Sequence, residues 1–169
     1  MRGSPHTMGA TSVGCLTGTS HVGIQVESLG RSVAFYHDLL GFEVVTTWVR
    51  DEPWIREVVG YPEAVLDVAI LELPGSAVFL EILEYERVDR THVDTSNANP
   101  GTAHLAFYVD DINVVYDRLV SAGVRSVSAP VEPTSGPNTG GRVVYVLDPD
   151  GIRIELMQTA RTLAGVERS

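Results

Sequence analysis

The feature that most constrains the fold of this chain is an internal echo. Thr19 to Ser28 reads TSHVGIQVES and Gly101 to Asp111 reads GTAHLAFYVDD. In both stretches a His opens a period-2 alternation, an acidic residue closes it, and an amphipathic helix pattern follows at once. Val22, Ile24 and Val26 alternate with His21, Gly23 and Gln25; Leu105, Phe107 and Val109 follow His104 in the same way. Such alternation gives a strand one oily face and one small or polar face. Ser28 is then expected to cap a helix carrying Leu29, Val33, Tyr36 and Leu40, stopped at Gly41. Asp111 should cap its counterpart, with Ile112, Tyr116 and Leu119 on one side and Gly123 at the end.

The echo continues beyond the helices. Phe42 to Arg50, Val65 to Leu73 and Ala77 to Tyr85 read as strands, with Pro74-Gly75 as a turn. Asp51 to Ala64 breaks the series: it carries Trp54 and Tyr61 between Pro53 and Pro62, and is read as an inserted loop or short helix. In the second half, Val124 to Ser128, Arg142 to Leu147 and Gly151 to Gln158 are the expected strands, the last two flanking the turn DPDG. The two first-strand histidines are offset by 104 − 21 = 83, and Glu81 and Glu155 on the two last strands by 155 − 81 = 74. The difference, 83 − 74 = 9, is what an insertion in the first half would leave. The expected class is α+β, with two βαβββ modules at 19–85 and 102–158 joined by a connector at 86–101. A leader at 1–18 and a tail at 159–169 flank them.

Composition narrows the partners. A chain of 169 residues, 44% hydrophobic, suffices for one well-buried domain or two modules sharing a core. Its formal charge, 12 − 22 = −10, would repel nucleic acid and anionic membrane surfaces. All 12 basic residues are Arg, so lysine Schiff-base chemistry and a phosphate-loop lysine are excluded. Cys15 is the single cysteine, which excludes an internal disulfide and a thiolate metal cluster. No apolar run approaches the roughly 18 residues of a membrane span, and a cytoplasmic location is expected. The opening MRGSPHTMGA, with His6, has the look of a fused leader and is set aside from the fold argument.

Each module therefore puts a His on its first strand and a Glu on its last. Glu81 shares a strand face with Phe79 and Leu83, and Glu155 with Arg153 and Met157. A carboxylate in an apolar row needs a compensating charge, which a divalent cation would supply. Two imidazoles and two carboxylates suit a first-row metal. The ordinary alternative is hydrogen-bonded histidines with Glu81 paired to a nearby Arg and Glu155 to Arg153 or Arg142. For any one residue alone that alternative is the better reading; the recurrence of the pair in both modules reverses the balance. His37 in the first helix and His92 in the connector are read as surface residues. Trp54 and Tyr61 suit either a pocket wall or the private core of the insertion. Ser135 to Gly141, SGPNTGG, lacks the strand and helix context of a nucleotide loop.

With HVGIQVESLGRSVAFYHDLLGF, FLEILEY, HLAFYVDDI and DPDGIRIELMQ in place, residues 19 to 158 resemble the vicinal oxygen chelate superfamily. That superfamily includes glyoxalase I, methylmalonyl-CoA epimerases, extradiol dioxygenases, and the fosfomycin and bleomycin resistance proteins. The resemblance implies an open, mixed, barrel-like sheet around one divalent ion (Ni, Zn, Co, Mn or Fe), with His21, Glu81, His104 and Glu155 at the ligand positions. It implies a small substrate with vicinal oxygens and a homodimer, with the barrel closed either within one subunit or by modules exchanged between two. Four protein ligands leave fewer open positions than ring cleavage with dioxygen requires, so Glu81 favours a lyase or isomerase of glyoxalase or epimerase type. In that chemistry Glu81 or Glu155 moves a proton at the carbon beside a chelated carbonyl. Trp54, Tyr108 and Arg142 are candidate substrate contacts; Glu72 or Asp67 is a candidate second acid/base group; Arg50, Arg56 and Arg142 are the cations available to a glutathione-type substrate. The alternatives are an extradiol dioxygenase using Fe(II) and a metal-free drug-binding resistance protein.

Overall fold

The computed structural model describes residues 16–160; Cys15, His6 and the tail from residue 161 lie outside the described residues. The chain runs β1 (His21–Val26), α1 (Leu29–Ala34), β2 (Val44–Arg50), α2 (Pro53–Val59), β3 (Val65–Glu72), β4 (Phe79–Glu86), β5 (His104–Tyr108), α3 (Ile112–Ser121), β6 (Arg142–Leu147) and β7 (Arg153–Gln158). The first sheet has the order β1-β4-β3-β2 and the second β5-β7-β6. In both, the first strand of the module lies parallel to its last, and the other pairings are antiparallel. The parallel pairing of first with last strand thus recurs in both modules, although the second sheet has three strands where the first has four, and the sheets stay open.

Three local features depart from expectation. The first helix does not run as one α-helix to Leu40: α1 gives way to a π-helical turn at Phe35–Leu39, with Leu40 N–H donating to Phe35 O at 3.2 Å. Ser28 sits at the N-cap position without a side-chain cap bond; the orphan Leu29 N–H is taken instead by the Glu84 carboxylate at 2.7 Å, across the β1–β4 pair. Val124 to Ser128 is not a strand. It is tied to β6 only by an isolated bridge, Ser126 to Val146, with Val127 N–H donating to Tyr145 O and Leu147 N–H to Arg125 O at 2.9 Å each; a separate isolated bridge joins Val131 to Val143.

The second helix begins as its sequence requires. Asp111 is extended, and its carboxylate accepts from Asn113 N–H at 2.9 Å and Val114 N–H at 3.2 Å. Asp111→Ala is expected to lower stability by about 1 kcal/mol in urea titration, the usual worth of such a cap.

One main core joins the modules. Ile24, Val26, Tyr36, Phe42, Leu71, Leu80 and Ile82 of the first pack with Ile112, Leu119, Val144, Val146, Ile154 and Leu156 of the second. Phe42 meets Phe107 edge-on, ring centroids 5.2 Å apart. Tyr36, fully buried, donates to Asp148 at 3.1 Å, so the helix of one module holds the β6–β7 turn of the other. On the opposite face of the first sheet lies a second cluster, Ala64, Leu66, Val68 and Leu83, with Trp48, Ile55, Val59, Ile70 and Tyr85 against it. The inserted segment is α2, and its Ile55 and Val59 cover this face. Among the described residues this second apolar cluster belongs to the first module.

Candidate metal centre

Residues directly paired in a sheet project to one side, as do residues two apart on a strand. In the first sheet His21 pairs with Phe79 and Gly23 with Glu81. In the second, His104 pairs with Arg153 and Ala106 with Glu155. In each module the Glu stands two residues beyond the partner of the His, on the same face, beside a residue with little or no side chain. The outcome is two like pairs: His21 Nε2 lies 3.1 Å from Glu81 Oε2, and His104 Nε2 lies 3.2 Å from Glu155 Oε2. A Cβ built on Gly23 would lie 3.7 Å from Glu81 Oε2, an ordinary contact, so this position tolerates a small side chain beside the carboxylate, as Ala106 stands beside Glu155.

The pairs fit a divalent ion in donor chemistry and spacing. Two donors held at about 2.1 Å and at right angles on one ion lie roughly 3 Å apart. Ser20 Oγ lies 3.2 Å from His21 Nδ1, which leaves Nε2 for the ion, as ligand histidines commonly require. The side chains of His21 and His104 are 45% and 41% exposed and those of Glu81 and Glu155 only 22% and 17%, so the imidazoles are reachable and the carboxylates sheltered. The two pairs of one chain remain apart: among the described residues, no three His, Cys, Asp or Glu side chains are grouped to hold one ion.

The other expected site residues separate on inspection. Tyr108 shares the β5 face of His104, four residues on. Trp54 is exposed on α2, while its neighbour Ile55 packs inward. Arg142 does not join the site. It pairs with Gln158 on the face opposite Glu155, and its guanidinium donates to Asn113 Oδ1 at 2.9 Å. Glu72 pairs with Phe79 and so lies in the row of His21, whereas Asp67 alternates to the other face with Ala69 and Leu71. His37 Nδ1 lies 2.7 Å from Phe42 O, and His92 Nε2 lies 3.5 Å from Glu27 Oε2; neither is near a His–Glu pair in register.

Two tyrosines complete the surroundings and were not picked out from the sequence. Tyr85 shares the β4 face of Glu81 and meets Tyr61 edge-on at 6.0 Å; burial first, then the neighbouring Tyr61 and Glu81, push its phenol pKa up. Tyr145 pairs with Glu155 across β6 and β7 and stands edge-on to His104, centroids 5.5 Å apart. Burial, then the Glu155 charge and the hydrogen bond to it, raise the Tyr145 pKa. A signal for Tyr145 existed: a hairpin closed by DPDG pairs positions whose numbers share one sum, and Leu147 with Arg153 gives the same 300 as Tyr145 with Glu155.

Comparison with known proteins gives the family. Residues 18–156 match the model of the Glyoxalase/Bleomycin resistance protein/Dioxygenase superfamily. A 2-epi-5-epi-valiolone epimerase from an Actinomyces species is 33% identical over 81% of this chain and 76% of its own length. A probable lactoylglutathione lyase of Vibrio parahaemolyticus is 29% identical over 87% of this chain and 94% of its own. The crystal structure of a glyoxalase family protein from Bacillus cereus superposes with a TM-score of 0.74, covering 89% of this chain and 99% of that one at 24% identity. The chain therefore belongs to the glyoxalase, bleomycin resistance protein and dioxygenase superfamily.

Proposed function

We propose that this protein is a metal-dependent lyase or isomerase that moves a proton at a carbon beside a carbonyl of a small substrate with vicinal oxygens. The observation that carries the reading is the repetition of one His–Glu pair, in one register, in both modules. A divalent ion (Ni, Zn, Co, Mn or Fe) held by His21, Glu81, His104 and Glu155 would supply Lewis acidity to two adjacent substrate oxygens, making the intervening C–H acidic. The chain's own residues do the rest. Glu81 or Glu155 accepts that proton and returns it to the same or a neighbouring carbon. Leu83 and Tyr85 beside Glu81, with Ile55 and Val59 of α2 behind them, shield the first-module face from water.

The separation of the two pairs within one chain supports a homodimer in which the first pair of each subunit faces the second pair of the other. The arginines favour an isomerase over a lyase acting on an anionic conjugate. Arg50 lies over the Trp48 ring at 4.9 Å and pairs with Glu52 at 3.2 Å, Arg56 donates to Ala64 O at 3.1 Å, and Arg142 is taken by Asn113. Each of the cations nominated to receive substrate carboxylates is already engaged within the protein. The 33% identity to an epimerase points the same way.

The test combines metal content with proton exchange. Purified protein is expected to carry close to one Ni, Zn, Co, Mn or Fe per chain, to run as a dimer in analytical ultracentrifugation, and to exchange deuterium from solvent into small α-hydroxyketones. Stripping with chelator should abolish exchange and readdition should restore it. Fe with oxygen consumption on catechols would move the assignment to a dioxygenase; a metal-free protein that binds aromatic compounds would move it to a drug-binding protein.

A further inference from the structure

The two His–Glu pairs share register but not neighbours. Across its strand Glu81 faces Ile70 on β3, and on its other side Gly23. Glu155 in the same two places faces Tyr145 on β6 and Ala106 on β5. Ile70 offers the Glu81 carboxylate an apolar surface and no donor; Tyr145 sets a phenol, a group able to donate, in the cross-strand position beside Glu155. The same ring stands edge-on to His104 at 5.5 Å and 86°, a geometry in which the aromatic quadrupole favours contact. One side chain therefore stands across the sheet from Glu155 and edge-on to His104, and the first pair has nothing equivalent on β3.

We infer that Tyr145 is a positioning residue, which locks Glu155 and His104 into one arrangement and makes the second pair the rigid half of the site, with Glu81 as the carboxylate free to pivot. Tyr145 acts through Glu155 and His104 and touches no reacting atom itself. Partners of this kind restrict ligand rotamers, and their loss typically weakens metal affinity by roughly 10- to 100-fold. The role rests on the metal reading proposed above, and the experiment separates the two.

Metal-free wild type and Tyr145→Phe are titrated with Co(II), following the visible ligand-field bands and the heat of binding. The Phe variant keeps the ring against His104 and removes the hydroxyl alone, and thermal melts of both metal-free proteins register any purely structural loss. Tyr145→Leu, lacking ring and hydroxyl, is the second variant. The expected result is a Kd for Co(II) raised about 10-fold or more in Tyr145→Phe, with altered band intensities, a near-unchanged metal-free melting temperature, and a further rise in Tyr145→Leu. An unchanged Kd and spectrum in Tyr145→Phe, beside normal binding by wild type, would overturn the role of Tyr145 and leave the metal reading standing. A wild-type chain that takes up no Co(II) would overturn the metal reading itself.

Discussion

Glu81→Gln is expected to reduce solvent deuterium exchange into an α-hydroxyketone by about 10²-fold or more, the usual worth of a positioned general base. The amide keeps the shape of the carboxylate and can still present an oxygen to an ion, but it cannot carry a proton away from carbon. Its surroundings tolerate the change, because Ile70 opposite makes no polar demand and Gly23 leaves space. The fold should be retained, as judged by circular dichroism and melting temperature. Glu155→Gln should also suppress exchange, but by another route. It removes the carboxylate that stands across the sheet from Tyr145 and pairs with His104, so its larger effect should be on metal affinity. Two measurements on two variants, exchange rate at saturating metal and Kd for Co(II), should therefore move in opposite rank order. If both variants exchange deuterium as fast as wild type, neither glutamate is the base and the assignment fails.

How much of this could be read from the sequence divides along a physical line. Local patterns carry information about faces: the alternation after His21 and after His104 determined which side of each strand is oily, and the i, i+2 rows of Glu81 and Glu155 were correct for the same reason. The insertion inferred from unequal offsets is α2. Features set by tertiary contact were hidden. The π-helical turn at Phe35–Leu39 buries the successive residues Phe35 and Tyr36, which a helix-period reading does not anticipate. Arg142 stands one residue off the face of Tyr145, and a one-residue phase decides whether a strand residue looks at the site or at the helices. Val124 to Ser128 had strand composition, but its pairing with β6 stops at a single bridge, Ser126 to Val146, and how far a segment pairs is not written in its own residues. The placement of the two pairs relative to each other depends on contacts between positions more than a hundred residues apart, such as Tyr36 with Asp148.

That contact carries the second large effect. Asp148 is 2% exposed, and its carboxylate serves three donors: Asp150 N–H at 2.9 Å and Ile152 N–H at 2.7 Å on Oδ1, and Tyr36 O–H at 3.1 Å on Oδ2. Asp150 in turn receives Arg31 at 2.6 Å and Ser32 at 3.3 Å, so the whole β6–β7 turn is held against the first-module helix. Asp148→Ala would strand a buried phenol and two turn amides, at about 1 to 3 kcal/mol for the first group left unsatisfied. A total near 3 kcal/mol is expected in urea titration. Asp148→Asn keeps the Oδ1 acceptor and places an N–H toward the phenol oxygen, so it should cost far less at neutral pH. The pH dependence distinguishes the two forms of Asp148. Burial holds its pKa above the ordinary 3.8, against the lowering effect of the backbone and Tyr36 hydrogen bonds. A raised folded-state pKa means that the folded protein binds this proton more tightly than the unfolded chain. The stability it contributes is present below pH 3.8 and is lost as pH rises through the raised value. Wild type should therefore lose stability relative to Asp148→Asn on passing upward through that window, with Arg31 and Asp150 unchanged in both proteins. A constant difference between wild type and Asp148→Asn across pH 3.8 and above would show that this carboxylate does not titrate there. Because the turn precedes β7, the same loosening should reach Glu155: Asp148→Ala is expected to raise the Kd for Co(II) as well, while Asp111→Ala, at the start of α3, lowers stability alone.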